Sequence, residues 1–259
     1  YHGVGYYYIL SAVYFFTQSD PGKAILVFAA INALTCIIVF FLAKEIIGKT
    51  RYALLAALMT AFSFDIILYG RWLSNVSFSI PLIALFFYSL TKLVKTKNPS
   101  YWLLVGSIAG LLSHFELLHL LFAVCTIVLA IKLFALPIKS KQFFIGIMLF
   151  ILANASFIIF DIRHDFLVTN SILHYITSQP LSENPTEVIG MYLNGLITTM
   201  VNALFPSNGI VILLFIASLL FMYVVSKKGN TQPFKLTLLM IFFSFPYIFL
   251  LKYGSLEHF

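Results

Sequence analysis

Residues 24–42 read AILVFAAINALTCIIVFFL, nineteen consecutive positions without a charge. A helix that spans a bilayer needs roughly 17 to 25 apolar residues, so this stretch is long enough by itself. The runs Tyr52 to Leu68, Phe78 to Val94, Phe143 to Phe160, Ile210 to Val225 and Leu236 to Leu251 approach or reach the same length. No water reaches the hydrocarbon, so a spanning backbone must satisfy its own hydrogen bonds, and helices follow. Composition agrees: of 259 residues 61% are hydrophobic and 10% charged, against about 25% charged in an average soluble domain. The expected fold is all-α, a polytopic bundle of about eight transmembrane helices with juxtamembrane helices at its outer face.

Charge sets the topology. The net charge of +7 would suggest nucleic acid in a soluble chain, but here the lysines lie in short links between apolar runs, and no nucleic-acid partner is expected. Four links are basic: Lys44 to Arg51, Lys92 to Lys97, Lys132 to Lys141 and Lys227 to Lys235. They hold 12 of the 16 Lys and Arg residues, and the positive-inside rule puts all four in the cytoplasm. Keeping them on one side requires an even number of crossings between each pair. Tyr101 to Leu133 is therefore a hairpin turning at Ser113, His114, Phe115 and Glu116, with a short first arm in a thinned bilayer. The same parity makes Asp161 to Phe205 non-spanning, and the stripe Asn194, Thr198, Thr199 and Asn202 suits an interfacial helix over Val188 to Phe205. Gly5 to Phe16 is helical in pattern but covers only about 18 Å, so it is read as juxtamembrane, with Tyr6, Tyr7, Tyr8 and Tyr14 in an aromatic belt.

With this topology His2, His114, His119, His164, His174 and His258 fall at or near the outer face. So do Asp20, Glu116, Asp161, Asp165, Glu183, Glu187 and Glu257, while Asp65 lies in the outer half of its helix and Glu45 alone is cytoplasmic. Such asymmetry points to a polar site opening outward. Within it Arg71, in the turn Tyr69 to Asn75, is either a phosphate ligand or a snorkelling guanidinium beside Trp72. Asp65 is a site candidate or a structural ion pair. The cluster Phe160 to Phe166 offers Asp161, Arg163, His164 and Asp165 within two turns, as a site or as a polar helix end. His114, Glu116 and His119 bracket the hairpin turn. The i, i+5 spacing of the two histidines does not place them on one helix face as a metal pair needs, so capping of the hairpin is favoured.

No nucleotide-binding Gly-rich loop, zincin helix or serine-nucleophile elbow occurs. Cys36 and Cys125 lie in apolar runs and offer neither metal spacing nor a disulfide framework. No cofactor is identified, and a divalent metal is not indicated. An outward site without a nucleotide motif suits a substrate already in the membrane.

The residues resemble the membrane glycosyltransferases of the C superfamily, in particular the polyprenyl-phosphate-dependent group related to protein mannosyltransferases and aminoarabinose lipid A transferases (glycosyltransferase family 39-like). His2, Gly3, Val4, Gly5, Tyr6, Tyr7 and Tyr8 are similar to that family's H/K-x-P-L-Y-Y juxtamembrane motif, with Val4 and Gly5 in place of its Pro and Leu. Arg71, Trp72, Leu73 and Asn75 resemble its R-W-x-x-N turn. His114 and Phe115 resemble an H-Y pair, and Asp161 to Thr169 its E-L-R-H-x-F-x-x-T segment.

This resemblance implies a transferase that moves one sugar from a polyprenyl-phosphate carrier to an acceptor hydroxyl on a glycan, lipid or protein, with inversion. It implies an integral, multi-pass protein of the plasma membrane with an extracytoplasmic active site, residues 1–259 being one module of a longer chain. The catalytic base is expected upstream of Tyr1. Departure of the sugar leaves a phosphate monoester whose added charge cations must stabilise. Arg71 and Arg163 are the expected phosphate ligands, with His2, His164 and His258 as hydrogen-bonding candidates. Asp161, Asn75, His114 and Glu116 are expected in support, Asp161 as an orienting partner. Gly5 to Phe16 and Val188 to Phe205 would wall an apolar groove for the polyprenyl tail. The competing readings are a secondary transporter or lipid flippase, and a noncatalytic scaffold. Transporters bind at the midplane through repeats and broken helices, and here no repeat is found and only Asp65 and Pro246 disturb helix interiors.

Overall fold

The computed structural model describes residues 4–178 and 231–250, all of whose regular structure is helical. Helix α1 is Val4–Phe16. Helix α2, Pro21–Ile47, starts where the Asp20 carboxylate accepts from Gly22 N–H at 2.8 Å and Lys23 N–H at 3.3 Å, and it ends at Gly48 in the left-handed region (φ 78°). Such caps satisfy groups that a helix end leaves without partners. Helices α3 (Thr50–Ala61), α4 (Phe64–Gly70), α5 (Asn75–Thr96), α6 (Tyr101–Leu112) and α7 (Leu117–Phe134) follow. Then come α8 (Lys141–Ala153), α9 (Ala155–Arg163), α10 (Leu167–Ser178) and α11 (Gln232–Leu250). The expected hairpin is present as α6 and α7, and the short opening helix as α1. Val188 to Phe205 and Ile210 to Val225 lie outside the described residues.

Polar contacts sort the helix ends into two groups. At one end Lys92 Nζ pairs with Glu45 Oε1 at 2.8 Å, Lys95 Nζ donates to the Glu45 carbonyl and Lys97 Nζ to the Phe134 carbonyl. Trp102 Nε1 donates to Pro137 O at 3.2 Å beside them. Three of the four basic links thus meet at one end, as the parity argument requires. At the other end lie the start of α1, the Arg71 turn, the α6–α7 turn and the end of α8, linked by the contacts described below.

Two expected continuous spans are broken. Tyr52 to Leu68 is divided into α3 and α4 at Phe62 and Ser63, where Ser63 adopts an extended backbone (φ −66°, ψ 121°). The Thr60 hydroxyl, 2.9 Å from Ala56 O, bonds back onto its own helix just before the break, a contact that bends helices. Phe143 to Phe160 is divided into α8 and α9, bent by 53°. Asn154 sits at the corner, and its Nδ2 donates to Phe150 O at 2.9 Å. A further interruption is Pro81 inside α5, so Asp65 and Pro246 are not the only disturbances. Among the described residues α2 and α5 are long and apolar enough to cross a membrane, and α8 with α9 makes a third, bent candidate. The count of about eight is not reached within them.

The core explains the packing order. α2 lies against α3 and α5, α5 against α6, and α6 against α8. Phe86, Leu90 and Leu93 of α5, Val105 and Leu112 of α6 and Phe122 of α7 are all but fully buried in one core. The α6–α8 crossing is a backbone contact: a Cβ on Gly106 would collide with the carbonyl of Gly146, and one on Gly146 would lie 2.5 Å from Trp102 O. Small residues let helices approach this closely, which replaces hydrophobic burial as the driving force in lipid. The outward surface remains apolar, as Leu26 (69% exposed), Met148 (69%) and Leu152 (70%) illustrate.

Candidate active site

Arg71 caps the C-terminus of α4 (φ −95°, ψ 4°) and its side chain is exposed. Gly70 before it packs close to Asn32 of α2, where an added Cβ would lie 3.4 Å from the Asn32 Cβ. The turn is braced from α5. The Ser77 hydroxyl, itself buried, lies within hydrogen-bond distance of the Tyr69 and Trp72 carbonyls, and Ser74 Oγ caps α5 at Val76 N–H, 3.4 Å away. Trp72 is 59% exposed and stacks on Tyr69 with ring centroids 6.0 Å apart. This places a guanidinium and an amphipathic ring on one rigid, accessible turn.

Three more segments converge on this turn. Tyr6 of α1 donates its hydroxyl to Leu73 O at 3.0 Å, and Asn75 Nδ2 donates to Phe115 O in the α6–α7 turn. Gly5 N–H donates to His114 Nδ1 at 3.3 Å, while His114 Nε2–H donates to Ala153 O at 2.7 Å. With one acceptor and one donor, the ring is the neutral Nε2–H tautomer. A single buried imidazole therefore caps the first turn of α1 and the last turn of α8. Gly5 is required by the close approach, since a Cβ there would come within 2.9 Å of the imidazole Cγ. Beneath lies an aromatic floor: Phe78 meets Phe28 at 4.4 Å and Phe115 at 5.7 Å between ring centroids. Burial raises the Tyr6 phenol above its ordinary value, with Tyr7 and Tyr14 adding to the effect, so its O–H remains a donor at neutral pH.

The second cationic segment is built differently. Arg163 ends α9 and is exposed; His164 caps it, with Nδ1 2.7 Å from Phe160 O and its ring stacked on Phe160 at 4.1 Å. Asp165 (φ 54°) and Phe166 (φ 58°) are both left-handed and reverse the chain into α10. Asp161 Oδ1 accepts from Val168 N–H at 2.7 Å and Thr169 N–H at 3.3 Å, and Oδ2 accepts from the Thr169 hydroxyl. Its carboxylate thus caps α10 from the preceding helix. Phe157 of α9 touches the His114 ring at 5.2 Å.

The expected site residues are thus partly brought together. Asn75 and His114 belong to one hydrogen-bonded assembly, and Arg71 stands exposed on the turn it holds. Glu116 lies next to it, its Oε2 3.8 Å from His119 Nε2. Arg163, His164 and Asp161 sit on the adjoining α9–α10 corner, and Arg163 forms no ion pair with any described residue. His2 and His258 lie outside the described residues. Tyr6 corrects the aromatic-belt reading: it is 8% exposed and bonded inward, whereas Tyr7 (53%) and Tyr8 (73%) face outward. Sequence reading named Ser113 only as a turn residue and missed Asn154, and their Oγ and Oδ1 lie 2.7 Å apart in the buried corner between α6 and α8. The available signal was a carboxamide in the middle of the apolar run Phe143 to Phe160, where lipid would leave it without a partner.

No curated protein and no solved structure matches the chain. The sequence pattern of one family does match, over residues 1–160, which include α1, the Arg71 turn, the α6–α7 hairpin and most of α9. With more than half its length matched, and with apolar helices of spanning length, the chain is an integral membrane glycosyltransferase belonging to the dolichyl-phosphate-mannose-protein mannosyltransferase family.

Proposed function

We propose that this chain transfers a single sugar from a polyprenyl-phosphate carrier to an acceptor hydroxyl at the extracytoplasmic membrane face, inverting the anomeric carbon. The observation that carries this is Arg71: an exposed guanidinium on a braced turn, at the bundle end opposite the basic links, within the segment that matches the family. At lipid headgroup level it engages the donor phosphate through a bidentate fork. As the sugar leaves, the phosphate gains charge, and a preplaced cation stabilises that change more than the ground state. Arg163 supplies a second cation, His164 a hydrogen bond, and His2 and His258 are further candidates. Asp161, committed to α10, orients the Arg163 corner and does not act as base.

The test is donor consumption by the full-length protein with a polyprenyl-phosphate mannose donor and membrane acceptors. Arg71→Ala and Arg163→Ala are compared at matched folded yield. Loss of transfer by about 100-fold or more is expected for a cation at the developing charge. Wild-type turnover in both variants would refute the assignment of these cations. Uptake of labelled lipid without sugar transfer would favour the transporter class instead.

A further inference from the structure

The contacts around the Arg71 turn form a closed circuit. Gly5 is bonded to His114, whose neighbour Phe115 is bonded to Asn75; two residues back Leu73 is bonded to Tyr6, which adjoins Gly5. Each of the three segments is held to the other two. Non-helical turns at a protein surface are ordinarily mobile, and residues 71–74 are such a turn. Here its path is fixed from α1 and from the α6–α7 hairpin as well as from α5. Arg71 makes no ion pair with a described residue, so the backbone path of the turn sets the point from which its side chain reaches.

We infer that Tyr6 and Asn75 are positioning residues, whose hydrogen bonds to Leu73 and Phe115 hold the Arg71 guanidinium where the donor phosphate binds. This rests on the reading of Arg71 as the phosphate cation. In both residues the donating group is taken up by a main-chain carbonyl. The Tyr6 hydroxyl faces the Leu73 carbonyl and its ring is buried with Phe28, Phe78 and Phe115. A site group must be held to within about half an ångström to act fully, and a loosened turn lets the guanidinium wander further than that.

Trp72, next to Arg71, gives a direct readout, because the chain contains 2 Trp and the other, Trp102, is buried at the opposite end. The protein is labelled with 5-fluorotryptophan and reconstituted in nanodiscs, and the Trp72 and Trp102 fluorine signals are assigned by their loss in Trp72→Phe and Trp102→Phe. Polyprenyl phosphate is then titrated, with polyprenol as the uncharged control. Tyr6→Phe, which keeps the buried ring, and Asn75→Ala should shift or broaden the ligand-free Trp72 signal and leave Trp102 in place. They should also weaken polyprenyl phosphate binding about two- to tenfold, the effect of one lost hydrogen bond. Tyr52→Phe, an exposed phenol at the other end, should change nothing. Wild-type affinity in Tyr6→Phe, while Arg71→Ala abolishes binding, would overturn the positioning role and leave the function standing. Equal movement of the Trp102 signal would reduce the effect to general destabilisation and overturn it too. Wild-type affinity in Arg71→Ala would instead overturn the phosphate assignment itself.

Discussion

Replacing His114 by Phe separates its two capping bonds from its packing. Phenylalanine keeps a ring against Phe157, 5.2 Å away in the native contact, and removes both the acceptor for Gly5 N–H and the donor to Ala153 O. Hydrogen bonds between helices of a membrane bundle contribute about 0.6 kcal/mol on average and up to about 1.7 kcal/mol. The Ala153 contact is short and made by a buried ring, so it belongs in the upper part of that range. The Gly5 contact, at 3.3 Å, belongs in the lower part. Together they give about 2 kcal/mol, with an upper bound of about 3 kcal/mol. The assay is equilibrium unfolding in mixed micelles titrated with dodecyl sulfate, followed by helicity. His114→Gln, whose amide offers one acceptor and one donor, should recover part of the loss. If His114→Phe unfolds within about 0.5 kcal/mol of wild type, the size of an ordinary surface substitution, the imidazole is not the joint described here.

Other consequences follow from the helix contacts. Gly106→Ala puts a methyl group into the carbonyl of Gly146, so α6 and α8 must separate, at about 1–3 kcal/mol in the same titration; an unchanged midpoint would contradict the crossing. Ser113→Ala and Asn154→Ala, singly and combined, should show a coupling of about 0.5–2 kcal/mol in a double-mutant cycle, and additivity would deny the bond between them. Asp161→Ala removes the acceptor from the first turn of α10, so Val168 and Thr169 amides should exchange with deuterium faster while amides of α6 keep their rates. Unchanged exchange at Val168 would mean that α10 is capped some other way.

Helix identity and the sorting of the ends were readable from sequence for physical reasons. Uncharged runs such as residues 24–42 admit only helix in lipid, and lysines in short links carry the orientation. The contacts of Lys92 with Glu45 and of Lys97 with Phe134 O bring three of those links to one end of the bundle. What hydropathy does not carry is interruption. Thr60, Pro81 and Asn154 sit in runs whose average remains apolar, and each acts by diverting or removing one backbone hydrogen bond. The candidate site was legible as a set of motif positions but not as an assembly. Arg71, Asn75 and His114 could be named singly. The role of Tyr6 depends on Leu73 O, a main-chain atom 67 residues away, and no side-chain pattern announces such a partner.

The joint around Arg71 has an uneven grip on the chain's chemistry. On one side of every bond stands a side chain with a fixed donor or acceptor, in Tyr6, Asn75 and His114; on the other stands peptide backbone, at Leu73, Phe115, Ala153 and Gly5. Amide atoms are common to every residue type, so apolar exchanges at 73, 115 and 153 leave the connections intact so long as the backbone path is kept. Gly5 alone among those partners is pinned, by the ring standing over it. Mutational tolerance should therefore be strict at Gly5, Tyr6, Asn75 and His114 and looser, among apolar residues, at 73, 115 and 153.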